Sequence, residues 1–181
     1  MTGTPFHWNL TPPRGYGTVT TDCLTEPESL TDRLIASGRR FAVDVLFLGP
    51  DAAAEGEAEQ VGIPPDAQVF ARHVALTLDG MTVVVARSYC RLGCPVWTPI
   101  LDRGSRSLGF TLFSGEVPTR RGPLQFRQTK AGDVLFTLAR QRDSASDSYP
   151  ARRCRFELDG AGMVVCEVFL PSLETLARRA A

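Results

Sequence analysis

Arg72, Arg87 and Glu167 stand at positions where strand alternation places charged side chains among apolar ones. A guanidinium group binds a carboxylate through paired hydrogen bonds, and a buried carboxylate can bond a hydroxyl group or transfer a proton. A buried charge without a partner is costly, so such groups require neutralisation by one another or by a ligand. These three residues are the candidates for chemistry in this chain.

The two arginines belong to a predicted hairpin. Residues 68–78 and 81–90 are strand-like runs joined by Asp79-Gly80, which is a strong signal for a two-residue hairpin turn. Uninterrupted pairing from this turn places Arg72 opposite Arg87 on the apolar face of the hairpin. Like charges that face each other on a buried surface are destabilising, so this pair requires anions nearby.

A second predicted hairpin supplies an acid. Residues 152–158 and 163–170 flank a turn at residues 159–162. Glu167 shares one face of its strand with apolar side chains, and those of the partner strand lie across from them. The sequence therefore predicts a carboxylate on an apolar surface.

Two interpretations of these charges remain open. Arg72, Arg87 and Glu167 either neutralise one another as a structural ion network or line a pocket for a small anion with an apolar body, and spacing alone does not decide. The other arginine clusters, Arg120-Arg121 and Arg152-Arg153-Arg155, are typical of solvated surface.

The elements that position these residues predict an α+β fold. Thr25 has the pattern of an N-cap, with Pro27 in the first turn and Gly38 at the end of the helix. Hairpins imply antiparallel pairing, so we expect one antiparallel sheet with flanking helices in a single domain, residues 1–181. Further segments are assigned as follows: 1–24 irregular, 41–48 strand, 50–66 a surface excursion with room for a short helix, 105–113 helix or loop, 134–139 strand, 140–148 polar loop, and 172–181 a terminal helix.

The composition excludes several classes of protein. A chain of 181 residues with 43% hydrophobic and 22% charged residues is neither disordered, nor collagen-like, nor a coiled coil. Its 20 acidic and 20 basic residues give no electrostatic reason to expect nucleic acid or membrane lipid as a partner. No run of residues approaches the roughly 20 apolar positions that span a bilayer, and the start of the chain lacks a secretory signal pattern. We therefore expect a cytoplasmic protein with a small-molecule partner.

The cysteines and histidines are few. Five cysteines, an odd number, argue against a disulfide framework, and two histidines leave a poor set of metal ligands. No metal site is expected. No apolar stripe demands a partner subunit, so a monomer is expected.

Four segments together resemble the chorismate pyruvate-lyases, bacterial enzymes that convert chorismate to 4-hydroxybenzoate and pyruvate. The patterns R-x6-DG-x6-R, L-G and E-x-F-x-P carry the resemblance in combination. The segments occur in the family's order and are SLTDRLIASGRRFAV (29–43), ARHVALTLDGMTVVVARS (71–88), SLGFTLF (107–113) and ARRCRFELDGAGMVVCEVFLP (151–171).

The resemblance implies a fold in which an antiparallel sheet and flanking helices enclose a ligand cavity. It places the product-binding arginine at Arg72 and a second hairpin arginine at Arg87. It assigns a main-chain N–H that helps to hold the carboxylate to Leu108, the acid that meets the ring hydroxyl to Glu167, and an apolar residue that closes over the ring to Leu30. Arg72 and Glu167 would be the catalytic residues of a carbon–oxygen lyase that needs no metal and no organic cofactor.

Two segments, residues 90–106 and 128–150, depart from the family's pattern. Both are expected to contribute to the cover of the pocket, which leaves a lyase acting on a relative of chorismate as an alternative. The same fold also serves as a ligand-sensing module in bacterial winged-helix repressors, so a non-catalytic domain that binds an aromatic acid is a second alternative. The presence of both Arg72 and Glu167 favours the enzyme.

Overall fold

The computed structural model describes residues 7–178, and within them the strands form one antiparallel sheet. Along the sheet the order is β1-β2-β3-β7-β6-β4, and β5 pairs with β6 as well. The strands are β1 Phe41–Ala52, β2 Gln68–Leu78, β3 Met81–Arg91, β4 Arg120–Arg121, β5 Gln125–Gln128, β6 Pro150–Leu158 and β7 Ala161–Phe169.

Short helices pack on both faces of this sheet, which confirms the predicted α+β class. They are α1 Thr18–Leu24, α2 Leu30–Ile35, α3 Glu57–Gln60, α4 Thr98–Leu101, α5 Leu108–Phe113, α6 Val134–Arg140 and α7 Ser172–Leu176. Helices α1, α2, α4, α5 and α7 contribute to the apolar clusters on one face, and α6 contributes to the cluster on the other. None of the helices in the described part of the chain is long and apolar enough to cross a membrane.

Both predicted hairpins are confirmed, and each turns on an Asp-Gly pair. Asp79 and Gly80 have φ angles of 51° and 83°, and Asp159 and Gly160 have φ angles of 50° and 76°. Positive φ at both central residues defines a type I′ turn, which matches the twist of the flanking strands. The second turn is thus two residues long, and pairing resumes at once on either side of it.

A β-bulge in the first hairpin changes which side chains meet. Val83 opposes no residue of β2, and beyond it Arg72 pairs with Ser88 while Arg87 pairs with His73. The predicted Arg72–Arg87 pair is therefore wrong. An extra residue in one strand shifts the register by one and reverses the face of every residue that follows, so the two arginines lie on opposite faces of the sheet.

The first helices also differ from the sequence prediction. Part of residues 1–24 forms helix α1 and is not irregular, whereas residues 1–6 lie outside the described residues. Thr25 follows the end of α1, and the N-cap of α2 is Ser29, whose hydroxyl accepts the N–H three residues on. Pro27 lies in the connection between the two helices, as expected for a residue that disfavours helix at the position before it.

The segment predicted as a strand at residues 134–139 is helix α6. Asp133 is its N-cap and accepts the N–H of Leu135 at 2.9 Å. The buried residues Leu135, Leu138 and Ala139 recur at helical spacing and pack against the sheet. Because α6 covers the face that carries Arg87, the expectation that residues 128–150 help to cover the pocket on the Arg72 face is wrong.

Candidate functional site

A cavity lies between the sheet and helices α2 and α5. Strands β2, β3, β7 and β6 contribute its floor. Its lining is mostly apolar with a few convergent polar groups, which is the character of small-molecule sites. The charged residues in its lining are Arg72, Arg121, Arg152 and Glu167.

Helices α2 and α5 close over this cavity and contact each other directly. The hydroxyl oxygens of Thr31 and Ser107 lie 2.6 Å apart. A Cβ added to Gly109 would lie 2.7 Å from Oγ1 of Thr31, so this close approach requires a glycine. Leu30 and Leu108 both line the cavity, where the sequence analysis placed them.

Arg72 is a buried cation without an ion-pair partner in the part of the chain that the structure describes. Only 3% of the residue is exposed, and its Nη2 donates to the carbonyls of Gly104 and Arg106 at 2.9 and 3.1 Å. No ion pair joins it to a carboxylate among residues 7–178, and burial lowers the pKa of Arg72. The N–H of Leu108, in the first turn of α5, has no acceptor among the same residues. These donors belong to one rim of the cavity and suit a carboxylate.

Glu167 is held on the cavity floor by Arg152. Nε of Arg152 lies 2.5 Å from Oε2 of Glu167, and Arg152 is 4% exposed. Nη1 of Arg152 donates to the carbonyls of Cys23, Leu24 and Glu26 at 3.2, 3.4 and 2.8 Å, where helix α1 ends. The prediction that Arg152 is solvated surface is therefore wrong, because its strand position faces the cavity opposite Glu167.

One oxygen of Glu167 remains available to a ligand. Its Oε1 accepts no hydrogen bond from the described part of the protein, and Glu167 lines the cavity. Along the sheet it lies two strands from Arg72 and two residues further along the strand direction. Standard strand spacings put the Cα atoms of the two residues roughly 12 Å apart.

Arg121 is a third cavity arginine, and sequence reasoning missed it as well. It pairs with Phe156 at the edge of the sheet and shares the cavity face. Its Nε donates to Sγ of Cys154 at 3.2 Å, and its Nη1 donates to the carbonyl of Pro27. The guanidinium also lies over the ring of Phe113, 5.0 Å from its centroid. Its neighbour along β4 points outward, so the pair Arg120-Arg121 divides between solvent and cavity.

Three arginines and one glutamate leave the cavity lining with two positive charges in excess. The remaining lining is apolar or uncharged. This arrangement can bind a small molecule that has two anionic groups, an apolar body and a group that donates a hydrogen bond to the carboxylate of Glu167.

Arg87 lies on the other face of the sheet, in a complete ion network. It is fully buried, and it binds both oxygens of Glu57 at 2.7 Å and Oδ2 of Asp51 at 2.6 Å. Burial acts to lower its pKa, but these carboxylates raise the pKa of Arg87 overall. Nε2 of His73 lies 2.6 Å from Nη1 of Arg87, and burial together with Arg87 lowers the pKa of His73 to about 4. Arg87 does not line the cavity. The interpretation as a structural ion network applies to Arg87, but its carboxylate partners are Asp51 and Glu57, which the sequence analysis did not predict.

Comparison with known proteins agrees with this geometry. The family model described as chorismate lyase matches residues 16–179. The probable chorismate pyruvate-lyase 1 of Burkholderia pseudomallei (strain 1710b) is 31% identical over 91% of this chain and 89% of its own length. The probable chorismate pyruvate-lyase of Azoarcus sp. (strain BH72) is 35% identical over 92% of this chain and 91% of its own.

Solved structures share the fold at lower sequence identity. The effector domain of PhnF from Mycobacterium smegmatis has a TM-score of 0.56 at 15% identity, covering 80% of this chain and 90% of that one. The C-terminal domain of the histidine utilization repressor from Pseudomonas syringae pv. tomato str. DC3000 has a TM-score of 0.53 at 14% identity, covering 78% and 99%. These similarities show the fold alone. The family model and the curated relatives span nearly the whole described chain, and this protein therefore belongs to the chorismate lyase family and is a lyase.

Proposed function

We propose that this protein eliminates pyruvate from chorismate and leaves 4-hydroxybenzoate. The observation that carries the proposal is the buried Arg72, which has no carboxylate partner among residues 7–178 and lies in one cavity with Glu167. The named relatives are probable chorismate pyruvate-lyases, which supports chorismate as the substrate.

Chorismate fits the charges of the cavity. It is a dicarboxylate on a compact unsaturated ring, and its two negative charges match the excess of two positive charges in the lining. In this proposal Arg72 and the N–H of Leu108 bind the ring carboxylate. Oε1 of Glu167 accepts a hydrogen bond from the 4-hydroxyl, and Leu30 closes over the ring. Arg152 keeps Glu167 oriented through the other carboxylate oxygen.

The reaction then needs one base and a site that holds the substrate still. The ring carbon that carries the hydroxyl loses its proton to Glu167, and the electron pair of that C–H bond forms a new ring double bond. The bond between the neighbouring ring carbon and the ether oxygen breaks, and its electrons leave on that oxygen as enolpyruvate. Enolpyruvate takes up a proton on its methylene carbon and becomes pyruvate.

Aromatisation supplies most of the driving force, so catalysis rests on positioning and on the exclusion of water. The cover formed by α2 and α5 provides both, because it closes over the ring. A flat product under a closed cover leaves slowly, and we expect product release to limit turnover.

The direct test is to incubate purified protein with chorismate and to separate the products by chromatography against 4-hydroxybenzoate and 3-hydroxybenzoate standards. Pyruvate, measured with lactate dehydrogenase, should appear in equal amount. Formation of 4-hydroxybenzoate supports the proposal, and 3-hydroxybenzoate or no product refutes it. Turnover of aminodeoxychorismate in place of chorismate would identify a lyase for that analogue.

Glu167→Gln separates catalysis from binding. Glutamine keeps an acceptor for Arg152 but cannot take a proton, so turnover should fall by about 10²- to 10⁴-fold. Binding of 4-hydroxybenzoate, followed by the thermal shift it produces, should survive. If the wild-type protein is stabilised by 4-hydroxybenzoate but never consumes chorismate, it is a binding domain for aromatic acids and the lyase proposal fails.

A further inference from the structure

The cavity contains one cation to which the proposed function assigns no task. Of the arginines in the lining, Arg72 is assigned to the ring carboxylate and Arg152 to Glu167. Arg87 cannot serve, because it lies on the other face of the sheet with its own carboxylates. The second carboxylate of the substrate therefore needs a partner, and Arg121 is left.

The hydrogen bonds of the two remaining arginines support this choice. Arg152 uses Nε on Glu167 and Nη1 on three carbonyls at the end of α1. Within residues 7–178 Arg121 bonds only neutral groups, the thiol of Cys154 and the carbonyl of Pro27. Its Nη2 donates to no acceptor in the described residues, and no ion pair neutralises it there.

Arg121 also lies on the correct side of Glu167. Across the sheet, Arg72 on β2 and Arg121 on β4 lie on either side of Glu167 on β7. Along the strand direction Arg121 is level with Met163, so its long side chain has to bridge the distance to the substrate. In chorismate the hydroxyl is opposite the ring carboxylate, and the enolpyruvyl ether is on the carbon next to the hydroxyl. A substrate held at Arg72 and Glu167 thus projects its enolpyruvyl carboxylate from the end of the ring that lies nearer β4.

We infer that Arg121 binds the enolpyruvyl carboxylate and is a specificity-determining residue that distinguishes the dianionic substrate from the monoanionic aromatic product. The inference rests on the proposed function. It also explains how one cavity can bind the two molecules differently: the substrate neutralises both Arg72 and Arg121, whereas 4-hydroxybenzoate neutralises Arg72 alone.

The test compares Arg121→Gln with Arg120→Gln, a matched control. Arg120 is the adjacent residue, its side chain is 84% exposed, and it pairs with Glu157 outside the cavity. Two unreactive ligands are titrated by calorimetry: 4-hydroxybenzoate, which has one carboxylate, and 3-[(1-carboxyvinyl)oxy]benzoate, an aromatic compound that keeps both carboxylates of chorismate. Michaelis parameters with chorismate are measured in parallel.

Loss of a charge-assisted bond in Arg121→Gln should weaken the dicarboxylate about tenfold to a hundredfold and raise KM for chorismate by a similar factor. Binding of 4-hydroxybenzoate should change less than about threefold, because the monoanion makes no such bond. Arg121→Lys should recover part of the loss, since it keeps the charge without the planar fork. Arg120→Gln should match the wild type in every measurement.

Two results would overturn the inference. If Arg121→Gln weakens both ligands equally, Arg121 acts only by tying the cover to the sheet through Pro27 and Cys154. If it weakens neither, Arg121 does not contact the ligand. Binding of the dicarboxylate needs no turnover, so a wild-type protein that binds it through Arg121 without consuming chorismate refutes the proposed function and not the assignment of Arg121.

Discussion

Replacing Arg72 by methionine should leave the protein about as stable as before and strongly weaken its binding of a carboxylate ligand. The same change at Arg87 should lower the stability and leave ligand binding nearly unchanged. Methionine keeps most of the aliphatic stem and removes the charge. At Arg72 it removes a buried cation that has no carboxylate partner in residues 7–178. At Arg87 it leaves Glu57 and Asp51 without the guanidinium that neutralises them.

The expected magnitudes follow from these contacts. Breaking a buried ion pair by removing one partner costs about 3–5 kcal/mol. For a chain of this size each kcal/mol shifts Tm by roughly 2–4 °C, so Arg87→Met should lower Tm by roughly 6–20 °C. Arg72→Met loses two hydrogen bonds from a charged donor, each of about 1.5–3 kcal/mol. It also removes the cost of burying a charged group, which is several kcal/mol, so the free energy of unfolding should change by no more than about 2 kcal/mol.

Ligand binding should follow the opposite pattern. Loss of the bond between Arg72 and the ring carboxylate should weaken 4-hydroxybenzoate by about 3 kcal/mol, or roughly a hundredfold. Arg87→Met, assayed below its Tm, should bind the ligand nearly as well as the wild type. The assays are thermal unfolding by circular dichroism and calorimetric titration. If Arg72→Met lowers Tm as much as Arg87→Met, Arg72 belongs to a structural network and its assignment as a ligand site is refuted.

Three further outcomes are expected. The pKa of His73 is lowered from 6.5 to about 4 by burial and by Arg87, so the unfolded chain takes up a proton that the folded chain does not as pH falls between those values. The contribution of His73 to the free energy of unfolding should therefore be fully present above about pH 6.5 and decrease toward pH 4 by at most about 3 kcal/mol. Urea unfolding of His73→Gln at several pH values should show a smaller decrease over this range. Gly109→Ala sets a methyl group 2.7 Å from Oγ1 of Thr31, and stopped-flow should show faster release of 4-hydroxybenzoate; an unchanged rate would mean that the cover does not limit release. Arg152→Met should lower the free energy of unfolding by about 1.5–3 kcal/mol, because it leaves the partly exposed carboxylate of Glu167 unpaired and the end of α1 without its donor, and a loss below about 1 kcal/mol in urea would contradict that role.

The sequence predicts the hairpins but not the bulge within the first of them. Asp-Gly turns are local signals, and they mark the turns in both hairpins. The bulge lies in the run Val83–Val85, where every position is apolar. Alternation specifies a register only where one face is polar, so this run fits either register equally well. The face assigned to Arg87 was wrong for that reason.

Helix α1 depends on a contact that no local pattern contains. Its sequence TVTTDCL is rich in β-branched residues of low helix propensity. The carboxylate of Glu174, in α7, accepts the N–H groups of Val19 and Thr20 at 3.4 and 2.8 Å and so caps the start of α1 from the far end of the chain. Helix α6, in contrast, carries a local signal in the sequence. Asp133 precedes an apolar run, which is the pattern of an N-cap residue, and it does cap the helix.

The position of Arg152 opposite Glu167, in contrast, could have been predicted from the sequence. Adjacent residues of a strand face opposite sides, so Arg152 and Arg153 cannot both be surface residues of one solvated cluster. Counting outward from a two-residue turn at Asp159-Gly160, with no bulge, pairs Arg152 with Glu167, and this is the pairing observed. The same count on the first hairpin, corrected for its bulge, pairs Arg72 with an uncharged serine. A buried charge opposite its counter-charge is explained by the fold. A buried charge opposite a neutral residue is not, and in the proposed function the ligand supplies its neutralisation.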